Sequence, residues 1–99
     1  MVEQYSKLEI DRELALLNQL TSVHWILKSG KLVKTFTFSN FIEAFGFMTK
    51  VALYAEKLGH HPEWFNVYKT VNVNLITHEV GGLSKKDFEL AKIMEILSH

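Results

Sequence analysis

Apolar positions recur with two different periods along this chain, and the switches between them mark out its elements. Ile10, Leu14 and Leu17 are spaced as one face of a helix of roughly ten residues, with Leu16 and Leu20 on an adjoining flank. Ser6 and Glu9 have capping-box spacing at its start, and Asp11 is a rival N-cap. HWILKS and KLVKTFTF are rich in β-branched and aromatic residues and are joined through Ser29-Gly30, which predicts a hairpin. Ser39 or Asn40 then caps a long helix, Asn40 with Glu43 at capping-box spacing, and Gly59 ends it. Pro62 forbids helix beyond that point and pushes His61 into an extended conformation. WFNVY and TVNVNLIT form a second strand pair around Lys69, with Val71, Val73 and Leu75 on one face and Asn72 and Asn74 on the other. Gly81-Gly82 is a loop, and Ser84 caps a last helix with Asp87 completing its box. The order α-β-β-α-β-β-α predicts one α+β domain over residues 1–99, a four-stranded, mostly antiparallel sheet with helices packed on one face.

The long helix has only a narrow polar stripe, Glu43, Lys50 and Lys57. Phe41, Phe45, Met48, Ala52 and Ala55 lie on the far side of it, and Phe47, Val51, Tyr54 and Leu58 nearer. A helix apolar almost all round is covered on more than one side, here by the sheet and by a partner subunit or another helix. Phe47 and Val51 are the positions expected to meet that partner. Glu56 breaks the pattern, beside Phe45, Thr49 and Ala52, and its nearest predicted partner is His60, one turn on.

Composition narrows the function classes. A 47% hydrophobic chain with one proline folds, and with no cysteine it folds without disulfides, as suits the cytosol. No segment has the length of a signal peptide core or a membrane span. Eleven basic residues balance eleven acidic ones without a basic cluster, which argues against direct nucleic-acid binding. Near-zero net charge does little to resist self-association.

Three histidines, His60, His61 and His78, carry the candidate chemistry, because imidazole gives or accepts a proton near neutral pH. His24, read in an outer strand, and the terminal His99 look dispensable. Three readings compete for the cluster. It is a metal site, although adjacent histidines do not readily point at one ion. It is a metal-free acid–base site oriented by carboxylates. Or each ring is satisfied locally as part of the structure.

From Glu56 the chain runs through three residues to His60-His61-Pro62, five to Tyr68, nine to His78 and eight to Asp87. This is similar to the signature of the pterin-4a-carbinolamine dehydratases (4a-hydroxytetrahydrobiopterin dehydratases). AFGFMTKVALYAEKLGHHPEWFNVYKTV and THEVGGLSKKDFELA look very like animal-type members, and Trp25 and the stretch from Phe36 to Phe41 extend the likeness upstream. The resemblance implies a dimer or dimer of dimers with no metal or organic cofactor. It implies a reaction in tetrahydrobiopterin recycling: loss of water from the 4a-hydroxypterin left by aromatic amino acid hydroxylases, giving quinonoid dihydropterin. It further implies that His60 and His78 are the acid–base pair, that His61 mainly binds pterin, and that Glu56 orients His60. Gly59, Thr77 and Glu79 would help hold the pterin, and Trp25 would offer a stacking or packing surface. Pro62, Tyr68 and Asp87 would support the site, Asp87 being explained equally well by helix capping. Animal-type members also act as dimerisation cofactors of a homeodomain transcription factor, which implies a second, non-enzymatic role through protein contacts, in the nucleus as well as the cytoplasm.

Overall fold

The first strand pair is set by its turn. Ser29 and Gly30 both adopt left-handed backbone angles, φ 53° and 77°, the pair that a tight hairpin turn needs to match strand twist. It joins β1 (Ile26–Lys28) to β2 (Lys31–Thr37) with Lys28 opposite Lys31. The computed structural model describes residues 2–99. Around the hairpin lie α1 (Lys7–Asn18), α2 (Phe41–Leu58), β3 (Glu63–Val67), β4 (Thr70–Leu75), a 3-10 turn at His78–Val80 and α3 (Lys85–Leu97). The expected order holds, and the sheet is antiparallel throughout in the order β1-β2-β4-β3.

The helix caps largely follow the sequence. Ser6 and Glu9 close both halves of a capping box, which leaves Asp11 inside α1, paired with Lys7 at 3.0 Å. Asn40 rather than Ser39 caps α2, accepting from the Glu43 N–H, but the Glu43 carboxylate reaches one residue further back, to the Ser39 N–H. β1 is shorter than expected, so His24 precedes the strand instead of lying in it. Leu20 falls outside α1, and both Leu16 and Leu20 are exposed.

Period-2 alternation places Leu32 and Phe36 of β2 and Val71, Val73 and Leu75 of β4 on one face, where α2 and α3 cover them. The core closes with Leu17, Ala44, Phe47, Val51, Ala55, Phe88, Leu90, Ala91 and Met94. Trp25 packs edge-on against Phe36, and Phe47 packs at a tilt against Phe36 and Phe38. Lys34 also points to the helix side. Its ammonium meets Glu95 Oε2 at 2.5 Å and the Thr21 hydroxyl at 3.0 Å, and Glu95 accepts from the Trp25 ring N–H at 2.9 Å. A buried ion pair tolerates desolvation only when its remaining polar atoms are hydrogen-bonded in this way.

Phe47 and Val51 are core residues rather than partner-facing ones, because they lie under α3 and the sheet. The apolar surface left open on α2 is Phe41, Ile42, Phe45, Leu53 and Tyr54. Among the described residues no helix is long and apolar enough to cross a membrane.

Candidate active site

The end of α2 decides where the first two histidines go. Gly59 adopts a left-handed conformation, φ 65°, and its N–H bonds to the Glu56 carbonyl while the His60 N–H bonds to that of Ala55. These are the two bonds of a Schellman turn, which folds the chain back over the last turn of the helix. Helical spacing therefore ends at Leu58. His60 swings inward and is 7% exposed, while His61 emerges on the solvent side. The expected pairing of Glu56 with His60 is overturned for this reason: Glu56 Oε2 meets His61 Nε2 at 2.8 Å, both side chains exposed.

His60 instead meets a carboxylate from another element. Its Nε2 donates to Asp87 Oδ1 at 2.7 Å, and Asp87 is fully buried. The second oxygen, Oδ2, accepts from the Ser84 N–H at 2.9 Å and the Thr77 hydroxyl at 2.7 Å. One carboxylate thus completes the capping box of α3 and fixes the His60 ring, so its two expected roles are the same arrangement. Thr77 spends its hydroxyl on Asp87 and Ser84 and is 2% exposed, so its side chain is turned away from any pterin.

His78 opens the 3-10 turn after β4, exposed, with Nε2 on Glu63 Oε2 at 2.8 Å. Glu63 also accepts from Lys31 Nζ at 2.6 Å. Lys31 first, and then His78, holds the Glu63 carboxyl below its ordinary value of 4.5. The three histidines are thereby tied into one ring of short links. His60 is joined to Thr77, next to His78, through Asp87, and His61 is two residues from Glu63, which bonds His78.

Each imidazole has its own carboxylate on Nε2. Among the described residues no Nδ1 of the three has a partner, and no buried polar side-chain atom lacks one, so the Nδ1 atoms open to the surface. With an ionised carboxylate accepting at Nε2, a neutral ring keeps its lone pair on Nδ1 and a charged ring carries an N–H there. That suits proton transfer in either direction. The rings point to three separate acids, and among the described residues no group of three His, Asp or Glu side chains is arranged as metal ligands.

Other expected site residues sit differently. Trp25 is 1% exposed with its N–H on Glu95, so it packs in the core and offers no stacking surface. Tyr68 occupies the turn at the far end of the β3–β4 hairpin from Glu63, in a left-handed conformation with φ 51°. Glu79 is exposed and lies 3.5 Å from Lys86. Motif spacing does not point to Glu63 or Lys31. The hairpin register held the signal, because a two-residue turn at Tyr68-Lys69 puts Glu63 opposite Asn74, four residues before His78.

The chain has relatives of known family. Residues 3–97 match the family model described as pterin 4 alpha carbinolamine dehydratase. A provisionally named pterin-4-alpha-carbinolamine dehydratase of Rhizobium johnstonii is 55% identical over 92 residues, covering 90% of this chain and 91% of its own. The crystal structure of a protein described as a transcriptional coactivator/pterin dehydratase from Brucella melitensis superposes with a TM-score of 0.88 at 37% identity, covering 98% of this chain and all of that one. A pterin dehydratase-like protein, described as a RuBisCO assembly factor of the alpha-carboxysome, shares the fold at a TM-score of 0.63 and 23% identity, over 79% of this chain and 90% of its own. A model match across nearly the whole chain, with relatives above half identity, leads to one assignment: the chain belongs to the pterin 4 alpha carbinolamine dehydratase family.

Proposed function

We propose that the protein dehydrates 4a-hydroxytetrahydrobiopterin (pterin-4a-carbinolamine) to quinonoid dihydropterin and water, a hydro-lyase step of tetrahydrobiopterin recycling in the cytoplasm. The observation that carries this reading is the set of three imidazoles, each anchored through Nε2 to its own carboxylate with Nδ1 open. The reaction needs two proton transfers. Hydroxide is a poor leaving group, so an imidazolium gives its Nδ1 proton to the C4a oxygen as the C–O bond breaks and water departs. The N5–H proton passes to a neutral imidazole, and its bonding electrons form the N5–C4a double bond. His60 and His78 are the acid–base pair, His60 oriented by Asp87, and the proton taken from N5 restores the acid. His61, with Glu56, binds the pterin, helped by the Gly59 backbone and Glu79. No metal or organic cofactor takes part.

Turnover of 4a-hydroxytetrahydrobiopterin, generated in place by an aromatic amino acid hydroxylase, tests this directly. Acceleration over the uncatalysed dehydration that persists after exhaustive chelation is expected. A rate indistinguishable from buffer would end the proposal.

A second reading, a coactivator that binds the dimerisation helix of a transcription factor in the nucleus, is favoured by one observation. Phe41, Ile42, Phe45 and Leu53 leave an apolar strip of α2 uncovered, as a helix-binding surface requires. The same strip fits a homodimer or homotetramer contact. Neutral net charge favours protein contacts over DNA for either use. Binding of the isolated partner helix, measured by titration calorimetry and lost in Phe45→Glu, is the corresponding test.

A further inference from the structure

Two of the three histidines are placed by α2 and α3, but His78 stands on a three-residue turn with a side chain 72% exposed. We propose that Glu63, braced by Lys31, is a positioning residue that holds the His78 imidazole in its working orientation. The proposal rests on the reading of His78 as a proton carrier, although its structural half can be tested alone.

An imidazole this exposed would sample several rotamers unless a bond selects one. Its hydrogen bond to Glu63 Oε2, at 2.8 Å, is the one it makes among the described residues. Glu63 is itself gripped on its other oxygen by Lys31 Nζ at 2.6 Å. Lys31 begins β2 and Glu63 begins β3, with β4 paired between those two strands. The brace therefore spans three hydrogen-bonded strands, and both carboxylate oxygens are taken, so rotating the group would break both bonds. Regular elements position a working group more firmly than a loop does. Ionisation of Glu63 is favoured by both partners, Lys31 foremost, so it stays an acceptor at neutral pH. An exposed ion pair adds little to stability, so orientation is what this one supplies.

The test uses Glu63→Ala, Glu63→Gln and Lys31→Met in the full chain. Three-bond NMR couplings to His78 Cγ report its χ1 rotamer whether or not any pterin is turned over. We expect one rotamer in the wild type, averaging in Glu63→Ala, partial averaging in Glu63→Gln and Lys31→Met, and no change at His61. With the 4a-hydroxypterin, Glu63→Ala should lower kcat about tenfold and leave KM within about twofold, less than the loss from removing an acid or base outright. In a His78→Ala background the same change should cost nothing further. A His78 rotamer that stays fixed in Glu63→Ala, or losses from the two sites that multiply independently, would overturn the proposal. Should Glu63→Ala fold poorly, Glu63→Gln keeps the side chain's size and is read the same way. A wild-type protein without turnover would defeat the dehydratase reading while leaving the couplings to decide the clamp.

Discussion

At the scale of single residues, the motif spacing points to three histidines and to carboxylates near them, but not to which carboxylate meets which histidine. Helical spacing extended past Leu58 points Glu56 at His60, and the left-handed turn at Gly59 breaks that extension. Asp87 lies 27 residues from His60, a pairing that only the packing of α3 against α2 creates. Double-mutant kinetics should expose the difference. His60→Ala and His78→Ala are expected to lower kcat by about 10²–10⁴-fold, and His61→Ala to raise KM with kcat largely kept. Asp87→Asn should resemble a milder His60→Ala and add little to it, since the two act as one unit. Glu56→Ala should instead follow His61→Ala, raising KM. Coupling of Glu56 to His60, with Asp87 independent of both, would show that the working orientations differ from these.

At the scale of elements, caps and turns were legible because each is a local rule. Ser6–Glu9, Ser84–Asp87, Ser29-Gly30 and Gly59 all act within a few residues. What local rules could not reveal was the long-range polar packing of Lys34 with Glu95 and Trp25, where a lysine in an alternating strand faces the core. Gly59→Ala places a Cβ on a residue with φ 65°, which should cost about 1–2 kcal/mol, and it should lower kcat by loosening the turn that carries His60. Chemical denaturation beside steady-state kinetics would check both halves, and a stable variant with unaltered kcat would contradict the role given to the turn. Glu95→Ala strands a buried ammonium and should cost on the order of 3–5 kcal/mol, without a specific effect on kcat in the folded fraction. If its stability falls by less than about 1 kcal/mol, water reaches Lys34 and the pair is not a desolvated one.

At the scale of the whole molecule, the pattern of α2 announced more apolar surface than one sheet can cover, and the fold leaves part of it bare. Burial reverses which residues carry that surplus. Phe47 and Val51 are consumed by the domain's own core, at 2% and 0% exposure, whereas Ile42, Phe45 and Leu53 face outward at 81%, 54% and 70%. Periodicity shows how wide an apolar face is, but not where the sheet and α3 will meet it. An uncovered strip on a neutral molecule favours association, and symmetric pairing of the strip with its own copy is the simplest closed solution. The protein is accordingly expected to sediment as a dimer or larger at micromolar concentration. Phe45→Glu or Leu53→Glu should shift it toward monomer with the fold intact, because the charge then has solvent to face only in the free chain. Lys50→Glu, on the polar stripe, should leave assembly unchanged, and Val51→Glu should unfold the domain instead of dissociating it. A wild-type chain that sediments as a monomer, or a Phe45→Glu variant that assembles as the wild type does, would show that the α2 strip is not what holds the subunits together.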